Sequence, residues 1–389
     1  MGTWAMLTTR WHHAAPRTGP RWDWLLLALG GLGALVALTV APHQARQSAS
    51  QTWAPFVLVS GLLMVGLAAA EDGLFRAAGL QLARRARNGT AFFACAALLI
   101  AAVTATLNLD TSVVFVTPVL IAAARSRGAG EAPLLYGSLL LANASSLFLP
   151  GSNLTNLIVL GHQAPSGGAF LARLWPAAAA ACVITACGVG WWGRHQLRSS
   201  HQPGGPGGRF SIGLGSLGVG VTTGLVLVLH APAVPVLVVG VGISAVRLFQ
   251  RRLTLPRLTD IVGVPVLAGL FGATVALGTL ARLWSGPASL LSHFGTVGVA
   301  VAAAVTSVLI NNLPAAALLA PGHAPHAAAL LIGLNLGPNL FVTGSLAWIL
   351  WLRMARVSGA EPSVRQASRL GLVIVPLSMA AALGALWLI

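Results

Sequence analysis

Asp110 lies in the middle of an apolar stretch, in the run Asn108, Leu109, Asp110, Thr111, Ser112, whereas the other six acids sit at or near the ends of such stretches. An ionised carboxylate at the depth of a hydrocarbon core is costly unless it is protonated, paired or hydrated. A carboxyl group kept there is therefore read first as one that binds or carries something. Asn108, Thr111 and Ser112 add amide and hydroxyl oxygens beside it, and a helix starting here would aim its first free N–H groups at the same place. A cation, a proton or a neutral hydroxylated solute would each suit that set. The alternative is a turn at the outer interface, because the preceding arm of about 18 residues nearly spans a bilayer.

A second interruption, Asn311 and Asn312 ahead of Leu313 and Pro314, supplies amides without charge, and the proline breaks helical hydrogen bonding. Two further apolar runs carry internal breakers: Gly151, Ser152 and Asn153 in one, Gly337, Pro338 and Asn339 in the other. Asn153 and Thr155 at the first break, with Thr343 and Ser345 at the second, complete a set of polar groups suited to ring one cavity. Interhelical hydrogen bonding is the competing reading of each, and Asn143, Ser145 and Ser146 read as packing residues first.

The elements that must position these groups are membrane-spanning. Of 389 residues, 56% are hydrophobic and 8% charged, against roughly a quarter charged in soluble chains. Apolar runs recur near 22–42, 54–74, 90–124, 133–163, 171–192, 212–230, 232–249, 260–282, 293–321, 326–352 and 370–389. The expected fold is an all-α polytopic membrane protein of about nine spans of ~20 residues each. Runs 90–124 and 293–321, each interrupted at its polar middle, read as re-entrant hairpins, and 133–163 and 326–352 as discontinuous helices.

All 23 basic residues counted as Lys or Arg are Arg, and nearly all sit in short connections, so the net charge of +16 reads as a topology signal rather than a nucleic-acid surface. Applied along the chain, the excess of Arg on the cytoplasmic side puts 1–21 and the linker 193–211 inside and the C-terminus outside. The halves are 22–192 and 212–389. The order span, hairpin, broken span, span then occurs twice with opposite orientation, over 54–192 and 260–389. Inverted repeats with broken helices point to a midplane binding site in secondary transporters.

Other candidates read as structural. Glu71 and Asp72 near Arg76 mark a membrane boundary. His323 and His326 fall in a connection with Pro321 and Pro325, so a loop is favoured over metal ligation. Cys95, Cys182 and Cys187 lack the clustering of a zinc site. The glycine pattern at Gly213, Gly215 and Gly218 opens an apolar span with no strand before it, so it reads as helix packing rather than dinucleotide binding. No lysine is present for a P-loop, so ATP-driven coupling would need a separate ATPase subunit. Neither HExxH nor GxSxG occurs, which argues against an enzyme.

The stretches LNLDTSVVFVTPVL, SNLTNLIVL, NNLPAAALL and GLNLGPNLFVTGSLAWILWL resemble the arsenite permease branch of the ion transporter superfamily, which also includes divalent-anion:sodium symporters. The resemblance spans about 54–389. It implies an inverted-repeat transporter, commonly a homodimer, with two re-entrant hairpins and two broken helices about the site. By motif, Asp110 resembles the acid of the first hairpin tip, Asn153 the first break, Asn312 the second tip, and Gly344 with Ser345 the second break. The function implied is export of arsenite or antimonite, a neutral hydroxylated metalloid, in exchange for protons across the cell membrane. The alternatives are a sodium-coupled dicarboxylate or sulfate transporter, which would need bound sodium because no Arg lies at either tip, and a cation/proton antiporter. A proton or sodium gradient takes the place of any cofactor.

Overall fold

The computed structural model describes residues 20–161, 165–198, 213–229, 231–320 and 326–387, and among these every regular element is helical. That follows from the apolar sequence, because in lipid a helix satisfies its backbone polar groups internally. In chain order the helices are α1 (Pro20–Val40), α2 (Pro42–Glu71), α3 (Leu74–Arg85), α4 (Gly89–Thr106), α5 (Leu109–Ser126), α6 (Ala132–Ser145), α7 (Leu154–Leu160), α8 (Gly167–Trp192), α9 (Arg194–Arg198), α10 (Leu214–Val228), α11 (Ala233–Phe249), α12 (Leu255–Val262), α13 (Val264–Leu283), α14 (Gly286–Ser292), α15 (Thr296–Ile310), α16 (Asn312–Leu319), α17 (Ala327–Leu336), α18 (Leu346–Val357) and α19 (Val364–Leu386). Seven stretches are long and apolar enough to cross a membrane: α1, α2, α4, α5, α8, the α12–α13 run and α19.

Both hairpins and both broken helices are present. Helices α4 and α5 form the first hairpin and α15 and α16 the second. The first broken helix is α6 and α7 around a 3₁₀ turn at Pro150–Ser152, and the second is α17 and α18 around one at Gly337–Leu340. The repeats share their packing as well as their order. Helix α18 of the second repeat packs on α5 of the first, and α7 of the first packs on α16 of the second. The closing helices of the two repeats, α8 and α19, lie against each other.

The hairpins open on opposite faces. At one face, Arg125 at the end of α5 donates to the carbonyls of Ser358 (2.7 Å) and Gly359 (2.8 Å) beyond α18. At the end of α2, Asp72 forms a buried ion pair with Arg247 and Glu71 pairs with Arg257 at 3.4 Å. At the other face, Thr296 at the start of α15 lies 3.3 Å from His326 at the start of α17. Glu71 and Asp72 thus close α2, as their place in the sequence suggests, but in paired and largely buried form.

Several boundaries differ from the sequence reading. Helix α2 begins twelve residues before 54, because Pro42 occupies its first turn, and its 30 residues extend about 45 Å, more than a hydrocarbon core. The run 260–282 starts earlier, at Leu255, and is kinked where Gly263 adopts φ 63°. Part of the linker 193–211 is helical, as α9, while 199–212 lie outside the described residues, as do 1–19 and His323. Helix α1 packs along α13 through glycines, since a Cβ on Gly30 would stand 1.9 Å from the Gly269 carbonyl oxygen.

Candidate functional site

Four second-half helices begin at the tips and breaks, and three of them are capped by asparagine. Asn108 accepts from the Thr111 amide at 2.6 Å, Asn153 from that of Thr155 at 3.1 Å, and Asn311 from that of Leu313 at 3.3 Å. Ser345 holds the fourth cap position, before α18. Asparagine and serine are favoured there because the side-chain oxygen takes up an amide that the helix leaves unpaired.

Each tip is tied to the break of its own repeat. In the first repeat Ser152 Oγ donates to the Ala105 carbonyl at 3.2 Å, and in the second Thr343 Oγ1 donates to the Val308 carbonyl. Both carbonyls lie three residues before the capping asparagine, so the contact is repeat-related. The second repeat adds two bonds, from the Asn312 amide to the Gly344 carbonyl at 2.9 Å and from Asn311 Nδ2 to the Thr343 carbonyl at 3.3 Å. Gly344 is required by close approach, because a Cβ there would stand 2.5 Å from Pro338 Cα.

The first tip is the more enclosed. Asn108, Asp110, Thr111 and Ser112 are all buried, Asp110 at 7% exposure, while Thr343 is exposed and Asn311 half-buried. Gly66 of α2 lets this tip seat closely, a Cβ there meeting Thr111 Cγ2 at 2.5 Å. Among the described residues Asp110 forms no ion pair, and the pairs Arg125–Glu131, Arg247–Asp72 and Arg257–Glu71 all lie elsewhere. Around it, Asn108 Nδ2, Thr111 Oγ1 and Ser112 Oγ are buried without a hydrogen-bond partner, and so are Thr155 Oγ1 at the first break and Ser345 Oγ at the second. Buried polar atoms are nearly always paired, so these exceptions at three helix starts make the groups candidates for meeting a ligand.

Sequence reasoning assigned Asn143 and Ser146 to packing and gave Asn156, Asn335 and Asn339 no site role. The fold joins all five in one buried network between the broken helices. Asn143 Nδ2 donates to Asn339 Oδ1 at 2.9 Å, Asn335 Nδ2 to Asn156 Oδ1 at 2.7 Å, Asn153 Nδ2 to Asn335 Oδ1 at 2.8 Å, and Ser146 Oγ also to Asn335 Oδ1. One signal was available: Asn143 and Asn335 each precede the cap of the following half-helix, Asn153 or Ser345, by ten residues. Ser145 makes a separate contact, with Cys182 at 3.3 Å, and Cys95 and Cys187 are likewise free thiols.

The chain is similar to known proteins. The chain is 26% identical over 336 residues to Inner membrane protein YbiR of Escherichia coli (strain K12), covering 85% of this chain and 87% of that protein. Its fold is similar to the crystal structure of the Alcanivorax borkumensis YdaH transporter, with a TM-score of 0.51 at 16% identity, covering 95% of this chain and 96% of that one. Residues 18–352 match the family described as Citrate transporter (CitMHS); the chain belongs to that family and is a multi-pass membrane transporter of its type.

Proposed function

We propose that the chain is a secondary transporter of a bacterial inner membrane that exports arsenous or antimonous acid in exchange for protons by alternating access, with Asp110 carrying the proton. The observation that carries this reading is a buried carboxyl group that forms no ion pair among the described residues, set among unpartnered amide and hydroxyl groups. A neutral trihydroxylated solute matches hydroxyls and amides without needing a fixed positive charge. A proton on Asp110 removes the cost of a bare carboxylate in that setting. The inner-membrane placement is taken from the name of the Escherichia coli relative, and the resemblance of the four motifs to arsenite permeases supplies the substrate class.

The test is arsenite accumulation in everted vesicles under an imposed pH gradient. Asp110→Asn should reach the membrane, keep the side-chain volume, and lose gradient-driven accumulation. Wild-type-like accumulation by the variant would remove Asp110 from the coupling.

The family match favours a second reading, a carboxylate anion such as citrate taken up with cations that supply the missing positive charge. Cation-dependent citrate uptake, with no arsenite movement by the wild type, would select it.

A further inference from the structure

Asn335 lies in α17, in the first half of the second broken helix, and is fully buried. Its amide is saturated. Nδ2 donates to Asn156 Oδ1 at 2.7 Å and to the Leu331 carbonyl at 2.8 Å, while Oδ1 accepts from Asn153 Nδ2 at 2.8 Å and from Ser146 Oγ. Two of those partners, Asn153 and Asn156, belong to the first break, on the opposite repeat. Asn153 is the cap of α7, and its Oδ1 holds the Thr155 amide at 3.1 Å. Asn156 Nδ2 in turn donates to the Ser146 carbonyl at 2.7 Å and the Leu149 carbonyl at 3.2 Å, closing the unwound segment onto α7.

We propose that Asn335 is a positioning residue for the first break: from the second repeat it fixes the Asn153 rotamer, and through it the start of α7 and the unpartnered Thr155 hydroxyl. The proposal rests on the first break being part of the transport site. The physical case is that Asn153 has one amide group serving two tasks. Its oxygen caps the helix only while its nitrogen has a partner, and that partner is Asn335. An aspartate at position 335 presents oxygen where Asn156 Oδ1 needs a donor. A leucine fills the volume and leaves Asn153 Nδ2 and Asn156 Oδ1 both unpaired, the costly outcome for buried groups.

The experiment compares Asn335→Asp and Asn335→Leu with Thr117→Val. The control breaks a buried 2.9 Å bond to Ser138 between α5 and α6, away from the breaks. Hydrogen exchange of residues 153–160 reads the start of α7 directly, and vesicle uptake of arsenite reads KM against maximal rate. In Asn335→Leu exchange over 153–160 should quicken by about tenfold and KM should rise by about tenfold, with maximal rate within about twofold of wild type, while Asn335→Asp, which still accepts from Asn153 Nδ2 and loses only the donor to Asn156, should move both in the same direction by less. The Thr117 variant should move neither. Exchange and KM in the Asn335 variants no different from Thr117→Val would overturn the proposal. If the leucine variant does not accumulate, Asn335→Ser replaces it. A wild type that moves no arsenite counts against the arsenite reading alone, because the exchange measurement then decides the role of Asn335 without a substrate.

Discussion

The two hairpin tips have the same backbone plan and opposite chemical character. Both turn at an asparagine that caps the second arm, and both are tied to the neighbouring break through a carbonyl three residues upstream. The first tip is buried, carries Asp110 and leaves several polar atoms unpartnered. The second is uncharged, partly exposed and clamped by two additional bonds to the Thr343–Gly344 backbone. Counted from the caps, Leu313 occupies the place of Asp110. The repeat thus conveys a scaffold, while the side chains placed on it have diverged into one tip with a buried acid and unpartnered polar atoms and one held mainly by its own structure.

The largest expected effect tests that contrast at the breaks. Gly344→Ala would force a Cβ within 2.5 Å of Pro338 Cα and 2.9 Å of its carbonyl oxygen. Backbone cannot yield there, so the variant should lose about 3 kcal/mol or fail to accumulate, at the upper end of overpacking costs. Gly151→Ala at the first break would meet only the side chains of Val226 at 3.3 Å and Leu58 at 3.4 Å, and should cost less than about 1 kcal/mol. Thermal unfolding in detergent would measure both, and equal losses would remove the asymmetry of the breaks.

A middle-sized effect separates function from stability at the tips. Thr111→Val and Ser112→Ala remove buried hydroxyls that have no partner. They should leave stability unchanged or raised by up to about 1 kcal/mol while slowing transport, since unmade hydrogen bonds are a cost to the fold. Thr343→Val removes a formed bond to the Val308 carbonyl and should lower stability by about 1 kcal/mol. Faster or unchanged transport in the first pair would sink the view that these hydroxyls meet the solute.

The smallest effect concerns the caps. Asn311 holds φ 75°, a region where glycine is at ease. Asn311→Gly relieves that φ but loses the cap and the bond to Thr343, so the effects should nearly offset and leave stability almost unchanged, whereas Asn108→Ala, in extended backbone, should cost about 1 kcal/mol. Unfolding midpoints compared pairwise would show it. Orientation has its own check: reporter fusions should find the N-terminus inside and the C-terminus outside, and a cytoplasmic C-terminus would contradict the inverted assignment of the second half.

Sequence alone was enough to identify a chain that must live in lipid, the two polar interruptions, the two broken runs and the repeated order of elements. These depend on composition and on local breakers, such as Pro314 after the second tip and Gly337–Pro338 at the second break, whose effects are felt within a turn of helix. It also singled out Asp110, because a lone acid in an apolar run stands out without any knowledge of its neighbours. Tertiary structure decided the rest. The start of α2 at Pro42 was hidden because residues 42–53 are polar and carry no apolar signal, although they continue the same helix. The pairing of Asn335 with Asn153 and Asn156 joins residues about 180 positions apart, and whether a buried asparagine is glue or cap depends on which partner the fold delivers to it. The same limit applies to the two tips: their sequences show which one is charged, but only packing against Gly66, Pro338 and the opposite repeat determines which is enclosed and which is clamped.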